Sequence, residues 1–87
     1  MNEVMLNEKI ANCASQDLPA LISEHRTELT NAHIVQILEK VVSAYVIFVI
    51  RRLDKHALLR KEHVALALKK CPEGHRGEME ALMESAY

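Results

Sequence analysis

The stretch Asn31-Ala-His-Ile-Val-Gln-Ile-Leu-Glu-Lys-Val-Val-Ser-Ala-Tyr-Val-Ile-Phe-Val-Ile50 decides how the chain folds. Ile34, Ile37, Leu38, Val41, Val42, Tyr45, Val46 and Val49 follow one another at helical spacing, which predicts a single long helix capped by Thr30 or Asn31. From Val41 onward it is apolar nearly all round, so it belongs at the buried centre. The β-branched run Val41, Val42, Val46, Val49 and Ile50 would also suit a strand. The helical reading is preferred because its period starts well upstream and no turn residue interrupts it. Within that reading, a break at Ser43-Ala44 is the alternative. The uncharged run Val41–Ile50 is half the length of about 20 residues that a membrane crossing needs, so it reads as a core helix.

On the N-terminal side, Leu6, Ile10, Cys13 and Ala14 predict a first helix over residues 3–14. Asp17 restarts the chain as an N-cap, with Pro19 in the first turn where its missing N–H costs nothing. Leu18, Leu21, Ile22 and His25 carry that second helix to about Arg26. On the C-terminal side, Lys55–Leu59 holds no glycine or proline to mark a turn. A further helix runs from about Lys61 to Lys70, with Val64, Leu68 and Cys71 facing inward. Pro72-Glu73-Gly74 punctuates the chain, and a last helix starts near Arg76 with Met79, Leu82, Met83 and Ala86 on one stripe. The expectation is one all-α domain over residues 1–87, about five short helices stacked as antiparallel hairpins in a small solenoid-like bundle. Composition agrees: 49% apolar residues supply a core, while two glycines and two prolines are too few for many short strands. Aromatics are 3% of the chain (Tyr45, Phe48 and Tyr87), so the core is aliphatic.

Two segments echo each other. Leu29-Thr-Asn-Ala-His33-Ile-Val-Gln-Ile-Leu38-Glu-Lys40 and Leu59-Arg-Lys-Glu-His63-Val-Ala-Leu-Ala-Leu68-Lys-Lys70 share Leu, His, Leu and Lys at an offset of 30. Matching helical units at such offsets point to a helical solenoid. His33 and His63 then sit at equivalent positions near helix starts, hydrogen-bonding the loop before them. The segment from Asp17 to Val42, with its paired aliphatics Leu18, Leu21 and Ile22, its link Glu28-Leu29-Thr30-Asn31 and its second helix His33-Ile-Val-Gln-Ile-Leu38, resembles one unit of the octotricopeptide or heptatricopeptide helical-hairpin repeats. These occur in organellar RNA-handling proteins and in proteins related to Fas-activated serine/threonine kinase. Residues 53–87 fit only loosely, and the offset of 30 is short for the family. The resemblance implies RNA association, a mitochondrial or other organellar location, and a place as a small component of an organellar ribosome.

Charge is unevenly spread. Residues 1–50 carry three basic and six acidic side chains, residues 51–71 seven and two, and residues 72–87 one and four. The basic block Arg51, Arg52, Lys55, Arg60, Lys61, Lys69 and Lys70 is the candidate phosphate-binding set, since lysine and arginine release counterions from a nucleic-acid backbone. The plain alternative is a solvated helix face. No aromatic is expected among these residues, so bases would find no stacking platform. The expected partners are RNA and neighbouring proteins of an assembly, with no membrane and no small-molecule substrate. A second reading is a protein–protein adapter or inhibitor that docks a partner through Met79, Leu82 and Met83, whose flexible side chains suit an adaptable surface; their plainer role is core packing.

Other chemistry finds little support. His56, His63, Cys71 and His75 contain only one close pair, Cys71 and His75, where structural zinc usually has two, so no metal or other cofactor is expected. Cys13 and Cys71 lie on apolar faces as small hydrophobes, too sparse for a disulfide framework, which implies a reducing compartment. No Gly-rich loop is present for a nucleotide, and Glu78 and Glu80, two apart on a helix, do not face each other. No catalytic residue and no enzymatic activity are expected. The opening residues Met1–Lys9 read as neither a signal peptide nor a mitochondrial presequence.

Overall fold

The computed structural model describes residues 3–86; Met1, Asn2 and Tyr87, on which the leader reading and the aromatic composition partly rest, lie outside the described residues. The chain is all-helical, and no strand occurs among the described residues. The described residues form six α-helices, rather than about five: α1 (Glu3–Ala11), α2 (Leu18–Glu24), α3 (Asn31–Lys40), α4 (Val46–Lys55), α5 (Lys61–Leu68) and α6 (Arg76–Ser85). Single 3₁₀ turns at Ser15–Asp17, Ser43–Tyr45 and Glu73–His75 lead into α2, α4 and α6.

The extra helix comes from the central stretch, which is two helices and not one. Helix α3 closes with the Val41 N–H donating to the Ile37 carbonyl at 2.9 Å. Val41 and Val42 are then extended, with ψ of 136° and 152°. Branching at Cβ makes valine comfortable in extended backbone, so these two residues break the helix without glycine or proline. The Val42 N–H, freed by the break, donates to Ser15 Oγ at 3.1 Å, which ties the second 3₁₀ turn to the first.

The three links share one geometry. Ala14, Val42 and Pro72 precede the turns with φ of −69°, −74° and −60° and ψ of 149°, 152° and 149°. Asp17, Tyr45 and His75 then cap the next helix with φ near −100° and ψ of −7°, −2° and −6°. Each turn is closed by an N–H to carbonyl bond of 2.9 Å, from Asp17 to Ala14, Tyr45 to Val42 and His75 to Pro72.

Packing follows the same order. Helix α1 packs on α3 and α3 on α5, while α2 packs on α4 and α4 on α6; α5 also packs on α6 and α4. The core between these layers is aliphatic: Ile10, Leu18, Ile22, Ile37, Val41, Val46, Val49, Ile50, Leu53, Val64 and Met79 are all fully buried. Helix α4 presents five of its ten residues to it, Val46, Ile47, Val49, Ile50 and Leu53, so it is the centre of the fold.

The residues shared by the two echoing segments have visible jobs. His33 Nδ1 accepts from the Thr30 N–H at 3.0 Å, and the Thr30 hydroxyl accepts from the His33 N–H at 3.3 Å, a capping box with histidine in the usual glutamate place. His63 Nδ1 accepts from the Arg60 N–H, also at 3.0 Å. With Nδ1 an acceptor, the proton sits on Nε2, and that of His63 donates to Asn31 Oδ1 at 2.7 Å, reaching from α5 to the start of α3. Lys40 Nζ donates to the Ala11 carbonyl at 2.8 Å and Lys70 Nζ to the Leu38 and Glu39 carbonyls at 3.0 and 3.1 Å. Each lysine therefore supplies a cation to the C-terminal end of the helix packed before its own, where the helix dipole favours one.

Burial holds His63 below the usual histidine range, and Arg60 adds to the effect against the opposing pull of Glu62. A folded-state pKa below the unfolded value of about 6.5 means that the unfolded chain takes up the proton first on acidification. Its stabilising contribution is full above pH of about 6.5 and is lost as pH falls through the folded value. Stability should therefore drop as pH falls below about 6.5, with a steepest slope from this residue of about 1.4 kcal/mol per pH unit. His63→Gln should flatten that drop while lowering the midpoint at neutral pH, as read by urea titration.

The connection from α4 to α5 is closed by an unexpected residue. Ala57 adopts φ of 58°, the left-handed region that costs a side-chain-bearing residue about 1–2 kcal/mol. The Leu58 N–H donates to the Leu53 carbonyl at 2.9 Å and the Ala57 N–H to the Asp54 carbonyl at 3.1 Å, which is the Schellman ending that normally uses glycine. Ala57→Gly should thus raise stability by about 0.5–1 kcal/mol, despite the larger freedom of glycine in the unfolded chain. A thermal melt shifted upward by a few degrees is the expected readout.

Candidate nucleic-acid interface

The seven basic residues singled out in the sequence fall into three places. Arg51, Arg52 and Lys55 are on α4, Arg60 and Lys61 at the start of α5, and Lys69 and Lys70 at its end. Three of the seven are engaged within the chain. Arg51 Nε and Nη2 donate to the Glu78 carboxylate at 2.6 and 2.7 Å, which ties α4 to α6. This fork raises the arginine's already high pKa and pulls the Glu78 carboxyl below the usual range. Arg52 Nη1 donates to Ser23 Oγ at 2.7 Å and to the Pro19 carbonyl at 3.4 Å. Lys70 caps α3 as described. The other four, Lys55, Arg60, Lys61 and Lys69, are exposed and carry no ion pair among the described residues.

Ser23 sits between two partners. It accepts from Arg52 and lies 2.8 Å from His56 Nε2. Partial burial together with Arg26, Lys55 and Arg52 holds His56 below the usual histidine range, so the neutral ring accepts the Ser23 hydroxyl proton. This chain of bonds ties α2 to the C-terminal half of α4.

An open groove between α2 and α4 is lined by Gln16, Pro19, Tyr45, Phe48, Arg51, Arg52 and Lys55, with a volume of about 510 Å³. Tyr45, Phe48, Arg52 and Lys55 lie three or four residues apart and so form one stripe on α4. Phe48 is 47% exposed, and its ring centroid lies 6.2 Å from that of Tyr45 at an interplanar angle of 45°. The Arg51 guanidinium carbon lies 5.7 Å from the Phe48 centroid, within cation–π range. This corrects the expectation that no aromatic stands among the basic residues. Both rings were hidden by reading Val41–Ile50 as buried all round; once the helix breaks and restarts at Val46, its buried positions are 46, 47, 49, 50 and 53, and 48 turns outward. The helical spacing of Tyr45 and Phe48 with Arg52 and Lys55 was the signal that would have found the groove.

The apolar docking set divides. Met79 is fully buried between α6 and its neighbours, so it is core and not surface; this overturns its place in a docking stripe. Leu82 and Met83 are partly buried and pack against the same core. Cys13 and Cys71 are free thiols, both half-buried. Burial, with Asp17 nearby, pushes the Cys13 thiol up, which makes it a poorer nucleophile. His56 and His63 are bonded to Ser23 and Asn31, and no group of three or more metal-ligating side chains comes together among the described residues. None of the described helices is long and apolar enough to cross a membrane.

No family model, no curated protein and no solved structure matches this chain.

Proposed function

We propose that the chain is a non-catalytic RNA-associated module, a small structural component of a ribonucleoprotein such as an organellar (mitochondrial) ribosome. The observation that carries this reading is the set of four exposed cations with no ion pair among the described residues, Lys55, Arg60, Lys61 and Lys69, of which Lys55 lines a groove that also holds Arg51, Arg52 and two aromatic rings. Phosphate contacts need cations that are not already spent on carboxylates, and bases need an aromatic surface. Both are supplied from α4 and its continuation into α5.

In this proposal the three helix–turn–helix segments are units of a short solenoid, residues 3–24, 31–55 and 61–85, stacked as antiparallel hairpins. The recurring link angles, the layered packing and the equivalent jobs of Lys40 and Lys70 support it. A solenoid offers an extended surface and open ends that neighbouring proteins of an assembly can cover. A reducing, organellar compartment fits the two free thiols and the family resemblance.

The adapter or inhibitor reading keeps one supporting observation, the partial exposure of Leu82 and Met83 on the last helix. The test is RNA binding by a Leu82→Gln/Met83→Gln variant shown to be folded by circular dichroism. Affinity within about twofold of the parent is expected, because neither side chain lines the cationic groove. A folded variant that loses association with RNA-containing complexes, while Lys55→Glu keeps it, would put the adapter reading first.

A further inference from the structure

We infer that the α2–α4 groove is a subsite for one unpaired RNA nucleotide, its base stacked on Phe48 and its phosphate held by Lys55. The inference rests on the RNA reading and goes further, since it names strand state and the residues that read it.

Four observations lead to it. First, Phe48 is 47% exposed on a helix whose other large apolar residues are fully buried, so its exposure is not a shortage of core positions. Second, the ring is held in place: Tyr45 flanks it at 6.2 Å, and the Arg51 guanidinium lies 5.7 Å away, itself pinned by two bonds to Glu78. A base stacking there finds a surface already ordered, which lowers the entropy cost of binding. Third, the lining Gln16, Pro19, Tyr45, Phe48, Arg51, Arg52 and Lys55 contains no carboxylate. Arg51 is forked onto Glu78 and Arg52 Nη1 donates to Ser23 and the Pro19 carbonyl, so Lys55 is the lining cation with neither an ion pair nor a side-chain hydrogen bond among the described residues. Fourth, the groove is open to solvent along its length, with a volume of about 510 Å³, room enough for a base to enter from the side. The Gln16 amide on the opposite wall can donate to and accept from a base edge.

An intact duplex cannot use this site. Its bases are stacked on one another, and only its phosphates reach a protein side chain without unstacking. A single strand can lay one base on Phe48 while its backbone passes Lys55. Stacking of this kind is tolerant of sequence, because every base has a π-face.

The test is fluorescence anisotropy with a labelled unstructured 12-nucleotide RNA and a labelled RNA duplex, titrated with the full chain at low salt. The single strand should bind about tenfold or more tighter than the duplex. Phe48→Ala should erase that preference, weakening the single strand by about tenfold and leaving the duplex unchanged. Phe48→Trp should keep it, because the indole stacks at least as well. Phe48 is on the surface, so circular dichroism should show both variants folded. If both RNAs bind with a steep salt dependence but Phe48→Ala leaves the preference unaltered, the nucleotide subsite is wrong and the RNA reading stands. If the folded protein binds neither RNA, both fail together.

Discussion

Lys55→Glu/Arg60→Glu/Lys61→Glu is expected to weaken RNA binding by at least about a hundredfold at low salt and to lower the log–log salt slope by about 2–3. All three side chains are exposed and none has an ion-pair partner within the described residues, so the fold loses little when they are reversed. Each removed cation takes one phosphate contact with it and adds a repelling carboxylate. The contrast is Lys70→Gln. Lys70 belongs to the same basic block in sequence, yet its ammonium caps the α3 carbonyls of Leu38 and Glu39. Its loss should show mainly as stability, by about 1 kcal/mol, with a much smaller effect on RNA. Equilibrium titration of the two variants beside the parent, with urea melts of each, separates the roles.

The second large effect concerns the centre of the fold. Ile50→Ala should destabilise the chain by about 3 kcal/mol, since a fully buried isoleucine on the most enclosed helix leaves a cavity that its neighbours only partly fill. A chain of this length has a total stability of about 4–13 kcal/mol, so the loss is a large share. The melting temperature should fall by more than about 10 °C. Phe48→Ala, two residues away but on the outward face, should cost less than about 1 kcal/mol. If the two changes proved equally costly, the orientation of α4, and with it the groove, would be wrong.

The sequence reading and the structure meet at particular residues. The identities His33 with His63 and Lys40 with Lys70 were legible because each pair does one job: the histidine closes the turn before its helix, and the lysine reaches the helix before that. Pro19 and the Pro72-Glu73-Gly74 turn were also legible, since the residue types restrict the backbone directly. The break at Val41–Tyr45 spans the Ser43-Ala44 alternative, but the residues did not choose between it and one continuous helix, because two valines are equally at home in a helix of this polarity pattern and in an extended pair. The first link, Ala14–Asp17, has the backbone of the other two but shares only a serine with the second (Ser15 with Ser43) and no residue with the third, so its angles reveal the match. Ala57 shows the same limit, as a left-handed cap without the glycine that would announce it. Of the candidate site, the cations were legible from charge clustering, whereas their division into committed and free groups depends on Glu78, Ser23 and the α3 carbonyls, which are distant in sequence. The aromatic wall was lost with the helix break that exposes it.

The most direct test of the RNA reading is an anisotropy titration of the unmodified chain against a labelled RNA across a series of salt concentrations. Binding should weaken linearly on log–log axes, with a slope equivalent to about four phosphate contacts, one for each of Lys55, Arg60, Lys61 and Lys69. A folded protein that shows no binding at the lowest salt, or binding indifferent to salt, would contradict it.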